Sequence, residues 1–160
     1  MPSELPAATP LPKLKRLLLR LLRIYPPYLG ARIRVRRLPS GGFESSLRLV
    51  WWNRNFVGTH FGGSLYAMTD PFYVLLLYEA LGADYVVWIR GADIDFVKPG
   101  RGTVSARFEL DRERVAAIRA ALDRDERVEP RFQVTVVDGA DETVATVDQR
   151  LYVRRGTHKI

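Results

Sequence analysis

Apolar residues recur along the chain at a helical spacing in three places. Leucines share one face of residues 11–25, with lysine and arginine on the other face, and a Pro-Pro pair follows. Residues 60–81 are mostly apolar, which predicts a buried helix of about six turns. Residues 111–125 begin with Asp111 as an N-cap and predict a surface helix.

Strand patterns fill the intervals between these helices. Alternation of apolar and polar residues predicts strands in the segments 31–38, 43–52, 85–97, 103–110, 130–138 and 143–155. Most of these segments are joined by short Gly-rich turns, which excludes a parallel, doubly wound sheet. The order therefore predicts an α+β fold, in which an antiparallel β-sheet wraps around a long central α-helix and an additional N-terminal helix precedes it.

The length of 160 residues is that of a single domain. Residues 1–10, rich in Pro and Ala, predict a flexible tail, and residues 11–25 an N-terminal amphipathic helix. Residues 26–160 then form the domain of sheet and central helix. The sheet covers only part of that helix, so the N-terminal helix or a second subunit is expected to complete its exposed face.

Composition narrows the classes of function. Hydrophobic residues make up 47% and charged residues 27%, as in globular proteins. The chain has no cysteine, which excludes disulfides, Cys-ligated zinc and a thiol nucleophile, and which suits the cytoplasm. The net charge of +7 indicates an anionic partner, which is a nucleic acid, a membrane surface or a phosphate-bearing substrate. The basic face of the N-terminal helix allows peripheral membrane contact, or lies in water over its own domain.

The stretch NFVGTHFGGSLYAMTD, at residues 55–70, carries the candidate chemistry. Backbone N–H groups at the start of a helix are unpaired, and Gly62 and Gly63 would let a carbonyl approach them closely. Asp70 follows two helical turns later on the same face. Such donors can polarise a carbonyl, and a carboxylate can act as a base that activates water.

This stretch resembles the signature of the PaaI-like acyl-CoA thioesterases of the hotdog superfamily. The Asn of that signature falls on Asn55, its first Gly on Gly58, its Gly pair on Gly62 and Gly63, and its acid on Asp70. The whole chain looks most like a branch of the superfamily known as a domain of unknown function, DUF4442. The resemblance implies a hotdog fold for the domain.

The resemblance also implies an activity, the hydrolysis of a thioester of coenzyme A or of an acyl carrier. Asp70 would be the base or nucleophile, Gly62 and Gly63 the oxyanion donors, and Asn55 would orient water or the carbonyl. No metal or cofactor is implied, since coenzyme A is part of the substrate. A homodimer or a dimer of dimers is expected, with no nucleic-acid partner.

Five further residues are candidates for substrate binding. Thr59, His60 and Phe61 precede the glycine pair, and Lys98 and Arg101 flank the turn KPGRG, where a phosphate of coenzyme A could bind. A solvated turn is the alternative for the two cations.

Two positions depart from the family pattern. The family's His stands directly before the Gly pair, but that position is Phe61, and His60 lies one residue earlier. Some relatives carry Ser or Thr on the following strand to hold water, where this chain has Ile89. A non-catalytic acyl-binding or regulatory protein of the same fold is therefore the alternative function.

Structural roles are open for the same residues. Asp70 before Pro71 would cap the second half of a kinked helix by accepting from the amides of Phe72 or Tyr73. The glycine pair would allow close packing of the helix, and His60 would be a structural histidine.

Overall fold

The computed structural model describes residues 21–156, without the side chain of Arg23. The predicted tail at 1–10 lies outside these residues, as does the predicted helix at 11–25 apart from its last five positions. The membrane contact expected of that helix lies outside them for the same reason. Within the described part, Leu22–Ile24 form a single 3₁₀ turn.

Four α-helices lie within residues 21–156: α1 (Pro26–Ala31), α2 (Gly62–Ala67), α3 (Phe72–Leu81) and α4 (Arg112–Leu122). Helix α1 was not predicted, because a Pro-Pro pair is typical of a helix end. Here the two prolines open a helix, at positions where the missing N–H has no intrahelical partner in any case. None of the described helices has the length and apolar character needed to cross a bilayer.

One antiparallel sheet contains all seven strands of the described chain: β1 (Ile33–Arg37), β2 (Phe43–Arg48), β3 (Tyr85–Phe96), β4 (Thr103–Phe108), β5 (Arg127–Val128), β6 (Arg131–Val137) and β7 (Thr143–Arg155). Its order is β1-β2-β4-β6-β7-β3, and β5 pairs with β7. The six predicted strands are confirmed, and β5 is an addition too short to leave a pattern. The α+β architecture is confirmed with them.

The core lies between one face of the sheet and helix α3. Phe72 and Leu77 of α3 are fully buried, and the Phe72 ring lies 4.5 Å from that of Phe108 in β4, centroid to centroid. Helix α4 contributes one buried face to the core, with Val115, Ile118 and Leu122. Burial of each such side chain stabilises the fold by about 1.5–3 kcal/mol, so α3 is firmly held against the sheet.

The central helix is interrupted. Residues 60–81 were expected to form one kinked helix, but residues 68–71 leave the helical path between α2 and α3, and the Asp70–Pro71 peptide is cis. A proline here cannot donate the backbone hydrogen bond that would continue the helix. The kink expected at Pro71 is therefore a break, and Asp70 lies in it.

Side chains from three other elements satisfy the carbonyls that the break releases. Ser45 Oγ of β2 donates to the Met68 carbonyl (2.6 Å), and Gln149 Nε2 of β7 donates to the Thr69 carbonyl (3.3 Å). The Tyr28 hydroxyl of α1 donates to the Asp70 carbonyl. A buried carbonyl without a partner costs about 1–3 kcal/mol, so these bonds stabilise the interruption. The position of Asp70 is thus set by both the sheet and α1.

Candidate functional site

Among the described residues, the Asp70 carboxylate has no polar partner. Its side chain is partly buried and makes no hydrogen bond or ion pair with the residues that the structure describes. Burial raises the pKa of Asp70 above its usual value. Helix α3 has Pro71 as its N-cap and no side-chain cap bond, so the capping role considered for Asp70 is not seen.

Asp70 lies at the wall of a pocket of about 590 Å³. Tyr66, Ala67 and Pro71 form this wall with it, and seven residues between Leu21 and Tyr28 form the rest of the described lining. Apart from Asp70, the described lining is apolar or phenolic. The volume is within the range of about 300–1,000 Å³ that is typical of small-molecule sites. The pocket thus combines an apolar space with one acid.

Three tyrosines line this pocket, Tyr25, Tyr28 and Tyr66, and the sequence analysis named none of them as a site residue. Tyr66 precedes Asp70 by one helical turn, and burial together with the Asp70 charge raises its pKa. Burial, with a smaller effect of the same charge, raises the pKa of Tyr28. Both phenols therefore remain protonated at neutral pH. The spacing of Tyr66 from Asp70 was a usable signal, whereas Tyr28 lies on the unpredicted helix α1.

Gly62 and Gly63 begin α2, as the sequence predicts, but they do not line the pocket of Asp70. Their backbone N–H groups have no acceptor among the described residues. A Cβ built on Gly62 would lie 2.9 Å from Cζ of Phe96, and one built on Gly63 would lie 2.5 Å from Cε1 of Phe61. Aromatic rings therefore cover both glycines, and both rings are more than half exposed.

Asn55 uses its side chain inside its own loop. Its Oδ1 accepts from the amides of Val57 (3.1 Å) and Thr59 (3.0 Å), and its Nδ2 donates to Thr59 Oγ1 (2.9 Å) and to the His60 carbonyl (3.2 Å). Thr59 is itself buried. These contacts fix the loop that leads into α2.

His60 lies beneath the turn that precedes β4. It is 3% exposed, and its Nε2 lies 3.1 Å from the carbonyl oxygen of Gly102, to which it donates. Its Nδ1 has no partner among the described residues, and burial lowers its pKa. The imidazole is therefore neutral at pH 7, and it is not among the residues that line the pocket of Asp70.

The two cations of the KPGRG turn differ in their surroundings. Lys98 Nζ is 2.7 Å from Asp138 Oδ2 and also pairs with Glu142, and these hydrogen bonds raise its pKa. Arg101 is exposed and has no ion pair within residues 21–156. On the preceding strand, Ile89 is half-buried against the core.

The fold is that of the hotdog proteins. A Pseudomonas aeruginosa protein of unknown function, described as a probable thioesterase, has a TM-score of 0.75 at 19% identity, over 93% of this chain and 99% of its own. A Haemophilus influenzae thioesterase has a TM-score of 0.65 at 13% identity, over 95% and 97% of the two chains. The PaaI protein of the E. coli phenylacetic acid degradation operon has a TM-score of 0.58 at 15% identity, over 89% and 94%. The hotdog fold expected from the sequence is confirmed.

The family model for the domain of unknown function DUF4442 matches residues 15–153. The chain therefore belongs to the DUF4442 family, which confirms the resemblance seen in the sequence. No curated protein matches it.

Proposed function

We propose that this protein hydrolyses a thioester of coenzyme A or of an acyl carrier, with Asp70 as the acid–base or nucleophilic group. The observation that carries the proposal is a half-buried carboxylate, with no partner among the described residues, at the wall of an apolar pocket. A carboxylate whose pKa is raised is a stronger base once it has ionised. The thioesterases among the similar structures agree with this reaction.

The proposed reaction begins with removal of a proton from water by Asp70. The resulting hydroxide adds to the thioester carbonyl, whose oxygen takes the electron pair. Gly62 and Gly63 lie outside the lining of the Asp70 pocket, so for their N–H groups to donate to this oxygen the thioester must lie between the pocket and the start of α2. The C–S bond then breaks, the thiolate takes the proton from Asp70, and the acyl group leaves as an acid. In the nucleophilic version, Asp70 adds to the carbonyl itself, and water hydrolyses the anhydride.

Access to the glycine amides requires movement of two exposed rings. Phe61 covers Gly63 and Phe96 covers Gly62, and neither ring is locked in the core. In this scheme Asn55, Thr59 and His60 hold the loop that presents the amides, and Phe61 contacts the substrate. The six residues of α2 give only a short helix dipole, so the amide hydrogen bonds are the main source of stabilisation.

For the phosphates of coenzyme A, Arg101 is the better candidate of the two cations. It is exposed, and within the described chain it has no carboxylate partner, whereas Lys98 already binds Asp138 and Glu142. The net charge of +7 favours an anionic carrier. Replacement of Arg101 by Ala is expected to raise KM for acyl-CoA with little change in kcat, measured by thiol release.

We further propose that two copies of the chain associate through β3. This strand is at the edge of the sheet, and no strand pairs with its outer side within residues 21–156. Unpaired edge groups are a template for another strand, and Trp88, Phe96 and Val97 add exposed apolar surface nearby. Light scattering of the wild type is expected to give twice the monomer mass, and the Val97→Lys variant is expected to give a lower mass. A monomeric wild type would refute this arrangement.

The decisive experiment for the reaction is Asp70→Asn in the full chain, assayed by thiol release from a panel of acyl-CoAs. Turnover should disappear, while binding of a non-hydrolysable thioether analogue is retained. Asp125→Asn, an exposed carboxyl on the loop after α4, is the matched control and should keep full activity. A wild-type protein without turnover on the whole panel would refute the hydrolase.

A non-catalytic acyl-binding or regulatory protein is the second candidate. It is favoured by the two rings that cover the glycines and by His60, which faces Gly102. This candidate predicts that the thioether analogue and the cleavable acyl-CoA bind equally well, with no thiol released. Thiol release by the wild type that is lost in the Asp70→Asn variant would exclude this second candidate.

A further inference from the structure

One wall of the Asp70 pocket consists of the 3₁₀ turn and the start of α1. Tyr66, Ala67 and Pro71 line the pocket together with this wall and Asp70. The Tyr28 hydroxyl donates to the Asp70 carbonyl, which fixes one end of this wall to the helix break. The two parts of the described lining are therefore joined by a direct contact.

The lining excludes some ligands. Among the described lining residues, Asp70 carries the only charge, and the others are apolar or phenolic. A free carboxylate would approach an ionised Asp70 without a compensating cation, which is unfavourable. An uncharged acyl chain meets no such penalty, so the lining favours an acyl group that is still esterified.

Two large hydrophobic side chains of the wall are exposed to solvent. Ile24 is 60% exposed and Tyr25 50% exposed, although both line the pocket. Covering exposed apolar surface with a ligand removes it from water, which lowers the free energy of the complex. An acyl chain that extends from a thioester near Asp70 along the pocket would cover these two side chains.

We propose that the segment Leu21–Tyr28 forms the acyl-binding wall, and that Ile24 and Tyr25 determine which uncharged apolar acyl groups are accepted. The inference rests on the proposed function and adds to it the class of acyl group and the residues that select it. It predicts a preference for long or bulky acyl groups over acetyl, because only the former reach these side chains.

The test compares Ile24→Trp with Leu29→Trp in the full chain. Leu29 is exposed to a similar extent, 56%, lies on α1, and is not among the pocket residues. The assay is kcat/KM for acetyl-, octanoyl- and palmitoyl-CoA. Ile24→Trp should lower kcat/KM for palmitoyl-CoA by about tenfold or more and leave that for acetyl-CoA within about twofold, since the added ring fills the pocket. Leu29→Trp should match the wild type for all three.

Binding of a thioether analogue, S-hexadecyl-CoA, separates this inference from the proposed hydrolysis. If no acyl-CoA is cleaved but Ile24→Trp alone loses affinity for the analogue, the wall is supported and the hydrolase is wrong. If palmitoyl-CoA is cleaved equally by the wild type and both variants, the wall is wrong and the hydrolase stands. Absence of both turnover and binding in the wild type would overturn both.

A third measurement tests the charge argument. Palmitate should bind the wild type more weakly than S-hexadecyl-CoA does, and Asp70→Asn should increase the affinity for palmitate more than that for the analogue. Equal changes for the two ligands would overturn the view that the pocket selects an esterified acyl group.

Discussion

The hydroxyl of Tyr28 donates a hydrogen bond to the backbone carbonyl of Asp70, across a separation of 42 residues in sequence. This bond joins the wall of the pocket to the interruption in the central helix. Tyr28 is 2% exposed and belongs to the core, so the link is part of the folded structure. Five predictions concern this acid and its surroundings.

Tyr28→Phe should destabilise the protein. The ring would remain in the core, but the carbonyl of Asp70 would lose its donor, at a cost of about 1–3 kcal/mol. The free energy of unfolding measured in urea would show the loss. Tyr25→Phe is the control, because Tyr25 is half exposed and its change should stay within about 0.5 kcal/mol. Equal effects at the two tyrosines would contradict the importance of the bond.

Asp70→Asn should change how stability depends on pH. Burial raises the pKa of Asp70, so the folded protein holds a proton here more tightly than the unfolded chain does. The stability of the wild type therefore falls as pH rises from the usual aspartate value through the raised pKa, and it stays lower above that. Urea unfolding across pH should show the variant gaining stability over the wild type as pH increases. If stability varied with pH in the same way in the wild type and in Asp70→Asn, the result would contradict a raised pKa of Asp70 caused by burial.

The pH dependence of hydrolysis should report the same carboxyl. A general base must be deprotonated, so kcat/KM should rise with pH, with a midpoint above the usual range of aspartate. The assay is thiol release from one acyl-CoA over a pH series, with stability checked at each pH. A flat profile over this range, or an unchanged limb in Asp70→Asn, would assign the chemistry to another group.

Gly63→Ala should reduce turnover more than stability. The new methyl would meet the exposed ring of Phe61, which can move, but it would also lie beside the amides proposed to hold the oxyanion. We expect kcat to fall by about tenfold or more, with stability changed by no more than about 1 kcal/mol. Gly30→Ala in α1, where a Cβ meets nothing within 4 Å, is the control and should keep full activity.

His60→Gln should affect folding and leave the chemistry. The imidazole is buried and neutral, and burial lowers its pKa, so the wild type loses stability as pH falls below about 6.5 towards that lowered pKa. The variant should be less stable at neutral pH and lack this acid-side loss, yet retain kcat/KM within a few-fold. Loss of turnover in a folded, stable variant would restore His60 as a catalytic candidate.

Much of the fold could be predicted because its signals are local. Tight turns between alternating segments identify the antiparallel sheet, and the apolar run identifies the central helix. The missed elements lack such signals: α1 begins with prolines that are typical of a helix end, and β5 has two residues. The break was predicted only as a kink, since its three released carbonyls find donors on distant elements.

The site was predicted less completely, for a related reason. The motif predicts the glycines at the start of the central helix, where they begin α2, and Asp70 within that helix, whereas Asp70 lies in the break between α2 and α3. It does not show which way each side chain of a loop points, and Asn55, Thr59 and His60 bond within the loop or to the neighbouring turn. The pocket wall at Ile24 and Tyr25 is brought beside Asp70 by the tertiary fold alone, and the spacing of residues in the sequence does not predict this placement.

Within the pocket wall, Ile24 and Tyr25 differ from Tyr28 in their contacts, and this difference affects how related proteins can diverge. Within the described chain, the side chains of Ile24 and Tyr25 make no hydrogen bond to the helix break, whereas Tyr28 bonds the Asp70 carbonyl there. Substitutions at the first two positions would reshape the space for the acyl group and leave the acid in place. Under the proposed function, gene duplication followed by substitution at these two positions would change the substrate preference while the proposed reaction centre stays the same.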